Sequence, residues 1–219
     1  MISVLLPSRG RPDLLFRAAS SCFETAWLRS GDVELVLRID DDDPLSKECA
    51  SRLWRAYDDV QVIVGPRLDG YGSLLRFMNE CAEAAAGDLL MTFNDDGLFR
   101  TLGWNERIEA ETARLHDGIC NIATNSLQDP KAFPNAQPFS VVTRRWVELL
   151  GFLFDPMETW GDTYLREVSQ GLGRNVFLED VIVEHQWIPN AYQTTDPGYP
   201  ALHAKCVNEA VTFLSQHLL

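Results

Sequence analysis

The chain is poor in positive charge, in cysteine pairs and in long apolar runs. No stretch approaches the ~20 consecutive apolar residues that a membrane helix requires, so no spanning segment is expected. The five cysteines, Cys22, Cys49, Cys81, Cys120 and Cys206, are odd in number and widely separated, and none forms a C-x-x-C pair. That excludes a disulfide framework and points to a reduced compartment. MISVLLPSRG has neither a basic n-region nor a long enough apolar core to act as a secretory signal, and a soluble, cytoplasmic protein is expected. Nineteen Lys and Arg against 32 Asp and Glu give a formal charge of −13, which repels nucleic acid and anionic membranes at long range. Neither G-x-x-x-x-G-K-[ST] nor G-x-G-x-x-G occurs, so P-loop and dinucleotide-fingerprint chemistry are unsupported.

What is present is enough for a core. With 46% apolar residues over 219, a globular fold can bury roughly 70% of the surface its unfolded chain exposes, without metal or disulfide support. Short apolar runs alternate with amphipathic segments in the first half, the pattern of βα units on a mainly parallel sheet. The pattern predicts strands over Ile2–Leu6, Val33–Ile39, Val60–Val64 and Asp88–Phe93. Helices are predicted from Pro12 to about Leu28, over Leu45–Tyr57, and over Tyr71–Ala86 with Gly87 as its C-cap. Beyond Gly103 the pattern predicts a helix to about His116 and a strand at Ile119–Thr124. A Pro-, Asn- and Gln-rich stretch, Asn125–Pro138, then reads as a lid or binding loop. A strand at Phe139–Val142, helices at Arg144–Leu150 and Thr163–Gln170, a strand at Asn175–Glu184 and an amphipathic helix at Ala201–Leu219 complete the reading.

Several polar clusters fall at the ends of these strands, where open α/β sheets place ligands. Pro7-Ser8-Arg9-Gly10-Arg11-Pro12 offers backbone N–H groups and two guanidinium forks to a nucleotide, or is a punctuated turn with solvated arginines. Asp40 to Asp43 is either a solvated turn that caps the next helix or the place where Asp41 or Asp42 accepts hydrogen bonds from a uracil imide or a ribose hydroxyl. Asn94-Asp95-Asp96-Gly97 supplies hard oxygen ligands for Mg²⁺ or Mn²⁺ bound with a diphosphate, or forms an Asx-type turn. Asp162 is a candidate general base beside Trp160, an aromatic wall for a sugar, or simply an acid in a first helical turn. His185 ends a strand in VIVEHQW, structural unless the fold brings it to Asp96. Asp69 to Ser73 is a Gly-bearing turn that could approach a phosphate.

In this order the clusters SVLLPSRGRP, LRIDDDDP, AAAGDLLMTFNDDGLF, WGDTYL and VIVEHQW resemble the family 2-like nucleotide-sugar glycosyltransferases, and the likeness spans nearly the whole chain. The resemblance implies an α/β fold of the GT-A (Rossmann-like) type, a mixed, mainly parallel sheet flanked by helices. It implies one domain over 1–219, with a nucleotide-sugar-binding half at 1–100, an acceptor-side half at 101–200 and a C-terminal helix at 201–219. It implies that Pro7, Ser8, Arg9, Arg11, Asp41 or Asp42, Asn94, Asp95 and Trp160 bind the donor, a UDP-sugar. Asp96 and His185 would hold Mn²⁺ or Mg²⁺, and Asp162 would be the catalytic base of an inverting transfer. Asn94 departs from the family's usual first Asp, which leaves two registers for the metal motif, Asn94 with Asp96 or Asp95 with Asp96.

The implied acceptor is a glycan, a protein or a hydroxymethylated base in DNA. The last resembles stand-alone phage DNA-modifying glycosyltransferases and would need a local basic track from Arg144, Arg145 and neighbours to offset −13. Two other classes share the nucleotide-plus-metal logic: a metal-dependent nucleotidyltransferase or pyrophosphatase, and a non-catalytic nucleotide-sugar binding module.

Overall fold

The computed structural model describes residues 1–27, 32–69, 73–128, 137–186 and 199–218. The first half alternates strand and helix: β1 (Ile2–Ser8), α1 (Pro12–Thr25), β2 (Val33–Asp40), α2 (Pro44–Ala56), β3 (Val60–Gly65), α3 (Leu74–Ala84) and β4 (Leu89–Thr92). The second half runs β5 (Gly97–Phe99), α4 (Trp104–Thr112), β6 (Asn121–Asn125), β7 (Ser140–Thr143), α5 (Arg144–Leu150), α6 (Gly161–Gly171), β8 (Asn175–His185) and α7 (Tyr199–Ser215).

The described strands form one sheet in the order β3-β2-β1-β4-β7-β6-β8-β5. β3, β2, β1 and β4 are parallel, β7 enters antiparallel between β4 and β6, and β6 and β8 are again parallel. β5 closes the far edge antiparallel to β8. This is the mixed α/β sheet that the sequence predicts.

All seven residues of β1 are buried, as expected of a central strand covered on both faces. Its alternate side chains feed two cores. Ile2, Val4 and Leu6 pack with Leu15, Ala18, Cys22, Leu53 and Trp104, whereas Leu5 packs with Met78, Trp146, Tyr164 and Leu165. α1 starts with Pro12 in its first turn and buries Leu15, Ala18, Ala19, Cys22 and Phe23 at the expected helical spacing. α2 starts at Asp43, whose side chain accepts the Ser46 N–H at 3.1 Å.

Three elements differ from expectation for identifiable reasons. β1 continues through Pro7 to Ser8. Leu5 O accepts from Phe93 N at 3.0 Å, so the main-chain groups of odd residues turn toward β4, and β4 ends at Thr92. The missing N–H of Pro7 therefore lies beyond that ladder and costs nothing. α3 ends at Ala84 with an extended Ala85, so Gly87 is not its C-cap. Gly87 is instead fixed by close approach, because a Cβ there would stand 2.8 Å from Met1 O and 2.9 Å from Ser3 N. Gly87→Ala is expected to cost about 1–3 kcal/mol of stability by overpacking against backbone. Calorimetry should show this as a Tm lower by several degrees. The third difference, β5, was not expected at all and matters for the site.

Candidate active site

β1, β2 and β4 end side by side, and their carboxyl ends carry the clusters singled out above. Beyond β4, Asp95 is buried and reaches across to the turn after β1. Ser8 Oγ donates to Asp95 Oδ2 at 2.7 Å, Arg11 Nε donates to the same oxygen at 3.1 Å, and Arg11 Nη2 stands 2.6 Å from Oδ1. Burial pushes the Asp95 carboxyl up and the neighbouring Asp96 charge adds to this, against the opposing pull of Ser8 and Arg11.

Asp96 turns the other way. Its Oδ1 lies 3.3 Å from His185 Nε2, close enough for an ion pair but without a hydrogen-bond partner, and His185 Nδ1 is likewise buried and unpartnered among the described residues. Burial works to raise the Asp96 carboxyl, but His185 and the Arg11 charge outweigh it and hold the group below its ordinary value. β5 makes this encounter. Gly97 pairs with His185 across the β5–β8 ladder, and Gln186 N donates to Asp96 O at 2.9 Å. The two rings beneath it demand glycine at 97, since a Cβ would overlap the Phe93 ring and stand 2.8 Å from that of Phe139.

Asp162 sits in the first turn of α6, partly buried, with Oδ1 accepting the Thr163 N–H at 2.9 Å. Its other oxygen takes no hydrogen bond from another described residue, though its own N–H also pulls the carboxyl down. Burial raises its carboxyl above the ordinary value, and the Thr163 N–H only partly offsets this. Asp162, His185, Asn94, Thr92 and Trp160 line one cleft of about 160 Å³, with Leu75 and Phe154 on its apolar side. Asp162 thus shares a cleft with His185, the partner of Asp96. Trp160 is 45% exposed, as a wall for a polar, ring-shaped ligand would be.

No protein-family model matches the sequence, and no curated protein does. Solved structures do match. The chain superposes on the mannosyltransferase PcManGT from Pyrobaculum calidifontis, solved in complex with GDP-Man and Mn²⁺, with a TM-score of 0.72 at 13% identity, over 99% of this chain and 73% of that one. It superposes on S. aureus TarS 1-349 in complex with UDP with a TM-score of 0.70 at 10% identity, over 95% of this chain and 64% of that one. The complex of TarS 1-349 with UDP-GlcNAc gives 0.65 at 12% identity.

The fold is GT-A.

Within the GT-A sheet the acidic run after β2 divides by burial. Asp41 and Asp42, the expected nucleoside acids, are exposed, and Asp42 pairs with Arg9, which holds its carboxyl below the usual range. Asp40 and Asp43 are buried and were not singled out. Asp40 is gripped by Arg38 Nη1 at 2.8 Å and Arg9 Nη1 at 2.9 Å, and Asp43 accepts from the Gly10 N–H at 2.6 Å while capping α2. Arg38, fully buried in β2, also bonds Glu80 and Pro66 O and lies over the Phe77 ring. A legible signal existed, because Arg38 and Asp40 stand two apart on one face of β2, whose opposite face is wholly apolar. Arg144 is at the opposite end of β4 from Asp95, where its guanidinium donates to Ala85 O and Gly87 O, and Arg145 adjoins it. Most of the expected lid at 125–138, most of the 69–73 turn, and Trp187 lie outside the described residues.

Proposed function

We propose that this chain is a metal-dependent glycosyltransferase that moves a sugar from a nucleoside diphosphate sugar to an acceptor hydroxyl with inversion. The observation that carries this reading is the cleft shared by Asp162, a carboxylate of raised pKa, and His185, whose Nε2 stands 3.3 Å from the buried Asp96 carboxylate. The GT-A fold and the donors named for its neighbours, GDP-Man with Mn²⁺, UDP and UDP-GlcNAc, support it.

The residues fit a divalent ion. Asp96 Oδ1 is a buried carboxylate oxygen with no hydrogen bond among the described residues and an imidazole nitrogen 3.3 Å away, whereas Asp95 Oδ1, also without a hydrogen bond, has the Arg11 guanidinium at 2.6 Å. No group of three His, Cys, Asp or Glu that could hold a metal occurs among the described residues. Asp96 and His185 would therefore supply two ligands, and the donor's diphosphate and water the others, the usual arrangement for Mg²⁺ and similar ions. When bound, the ion neutralises charge developing on the diphosphate leaving group. This assigns the metal to Asp96 and leaves Asp95 to organise Ser8 and Arg11 on the nucleotide side.

The rest of the reaction falls to the chain's own groups. Pro7, Ser8, Arg9 and Arg11 with Asp41 or Asp42 frame the nucleoside, Asn94 and Asp95 lie toward the diphosphate and Trp160 walls the sugar or acceptor. Asp162 Oδ2 accepts the proton of the acceptor hydroxyl while its oxygen bonds to the anomeric carbon and the bond to the diphosphate breaks. Residues 1–100 thus supply most of the donor site, and 101–200 serve the acceptor while adding Trp160 and His185 to the donor side. A glycan or protein hydroxyl suits the acceptor side better than duplex DNA. Arg144 and Arg145 lie at the wrong end of the sheet to form a basic track to the cleft.

Calorimetric titration of UDP-sugars and GDP-mannose, with Mn²⁺ or with chelator, tests the reading. Binding should require the ion, and bound donor at about a hundredfold over its Kd should add about 2.7 kcal/mol of stability. Equal affinity with chelator would remove the metal. Release of pyrophosphate instead of nucleoside diphosphate would identify a nucleotidyltransferase.

A further inference from the structure

The segment that delivers Trp160 and Asp162 to the cleft is held from behind by groups outside the cleft. Glu158 is a buried carboxylate whose side chain is wholly shielded from solvent. Its Oε1 accepts the N–H groups of Thr159 at 2.8 Å and Trp160 at 3.0 Å, the two residues immediately before Gly161 and Asp162. Its Oε2 lies 2.6 Å from Nδ1 of His203, which projects from the C-terminal helix α7 and is itself buried. The other ring nitrogen, Nε2, lies 3.1 Å from Glu167 Oε2 on α6, and the His203 ring is 6.5 Å from that of Trp160.

A carboxylate stays buried only if donors match its lone pairs. Here one oxygen is matched by main-chain amides of the site segment and the other by an imidazole of α7. The position of those amides is therefore coupled to the position of α7, and a displacement of Glu158 moves the turn from which Asp162 leaves. We infer that Glu158 and His203 are positioning residues for the base. They never touch substrate, but they fix Trp160 and the first turn of α6 so that Asp162 Oδ2 meets the acceptor. The inference rests on the reading of Asp162 as the base, and makes α7 part of the catalytic apparatus although it lies behind the cleft.

The test uses the full chain and His203→Ala, His203→Gln, Glu158→Ala and Glu158→Gln, with Lys205→Ala on the exposed face of α7 as control. In His203→Ala and Glu158→Ala, hydrogen exchange at the Thr159 and Trp160 amides should accelerate. Turnover at saturating donor and acceptor should fall about tenfold to 10²-fold, the scale of a misplaced reacting group, and by more than donor affinity weakens through the loosened Trp160. Glu158→Gln keeps an oxygen for the two amides and a donor for the imidazole, and should recover most of the turnover lost in Glu158→Ala. If His203→Ala does not fold, His203→Gln carries the same comparison. Wild-type exchange at the two amides, wild-type turnover despite faster exchange, or a Glu158→Gln enzyme no better than Glu158→Ala would each overturn the inference. Should the wild-type protein transfer no sugar, the base reading fails. The clamp is then decided by exchange alone, with unchanged protection in His203→Ala and His203→Gln excluding it.

Discussion

Asp162→Asn is expected to lower turnover by about 10²–10⁴ while leaving donor and metal binding intact. The substitution keeps the shape of the side chain and removes its capacity to take a proton, and general-base help is typically worth that factor. A purely structural Asp162 predicts something different. Near a helix N-terminus the charge contributes about 0.3–1 kcal/mol, and Asn retains the oxygen that accepts the Thr163 N–H, so turnover would stay near wild type. The pH dependence gives a second readout. Burial raises the Asp162 carboxyl, and the base works only when ionised. The acid limb of kcat/KM should therefore fall through a pKa above the ordinary ~3.9, with activity lost as pH drops, and this limb should vanish from the residual activity of the Asn variant. Wild-type turnover in Asp162→Asn would exclude it as the base. Glu158 is already engaged by two amides and His203, and Asp180 pairs with Arg107 at 2.8 Å across the β8–α4 face, so Asp155 would be examined next.

The parts of the fold that were legible in the sequence are those set by local pattern. β1, β2 and β3, with α1 and α2 between them, follow from apolar runs, a Pro in the first turn and 3.6-residue spacing, and appear within a few residues of their expected limits. β5 was not legible because three residues carry no period, and Gly-Leu-Phe becomes a strand only when β8 supplies its ladder. Without β5 no spacing rule joins Asp96 to His185 across 89 positions in sequence, and only the family resemblance paired them. The candidate site shows the same division. Asp162 stood out because an acid follows Trp-Gly at the start of an amphipathic segment. Glu158 and His203 did not, because their meaning comes from the packing of α7 against α6. In the acidic run the exposed members were singled out and the buried ones were not. Four consecutive aspartates look alike in sequence, whereas the arginines Arg9 and Arg38 decide which one can be buried.

Asp96→Ala should have the largest effect on donor use. An ion bound with the diphosphate supplies several kcal/mol of charge stabilisation in the transition state, and each 1.36 kcal/mol is tenfold in rate, so loss of its proposed carboxylate ligand should cut kcat/KM by about 10³ or more. His185→Ala should lower metal affinity less steeply, and the double variant should be scarcely worse than Asp96→Ala alone, because two ligands of one ion cannot both be lost twice. Asp95→Asn provides the contrast. Its oxygens are taken by Ser8 and Arg11, so the change should weaken nucleotide binding while the metal requirement persists. The bland alternative is that Asp96 and His185 form a structural ion pair. Asp96→Ala would then lower Tm in metal-free buffer, and Mn²⁺ would protect variant and wild type equally in the presence of donor. Titrating Mn²⁺ into the donor complex of each variant, with Tm recorded in chelator, separates these outcomes. If Asp96→Ala keeps the wild-type Mn²⁺ dependence and Asp95→Asn loses it, the ion belongs to Asp95 and the assignment of the two carboxylates is reversed.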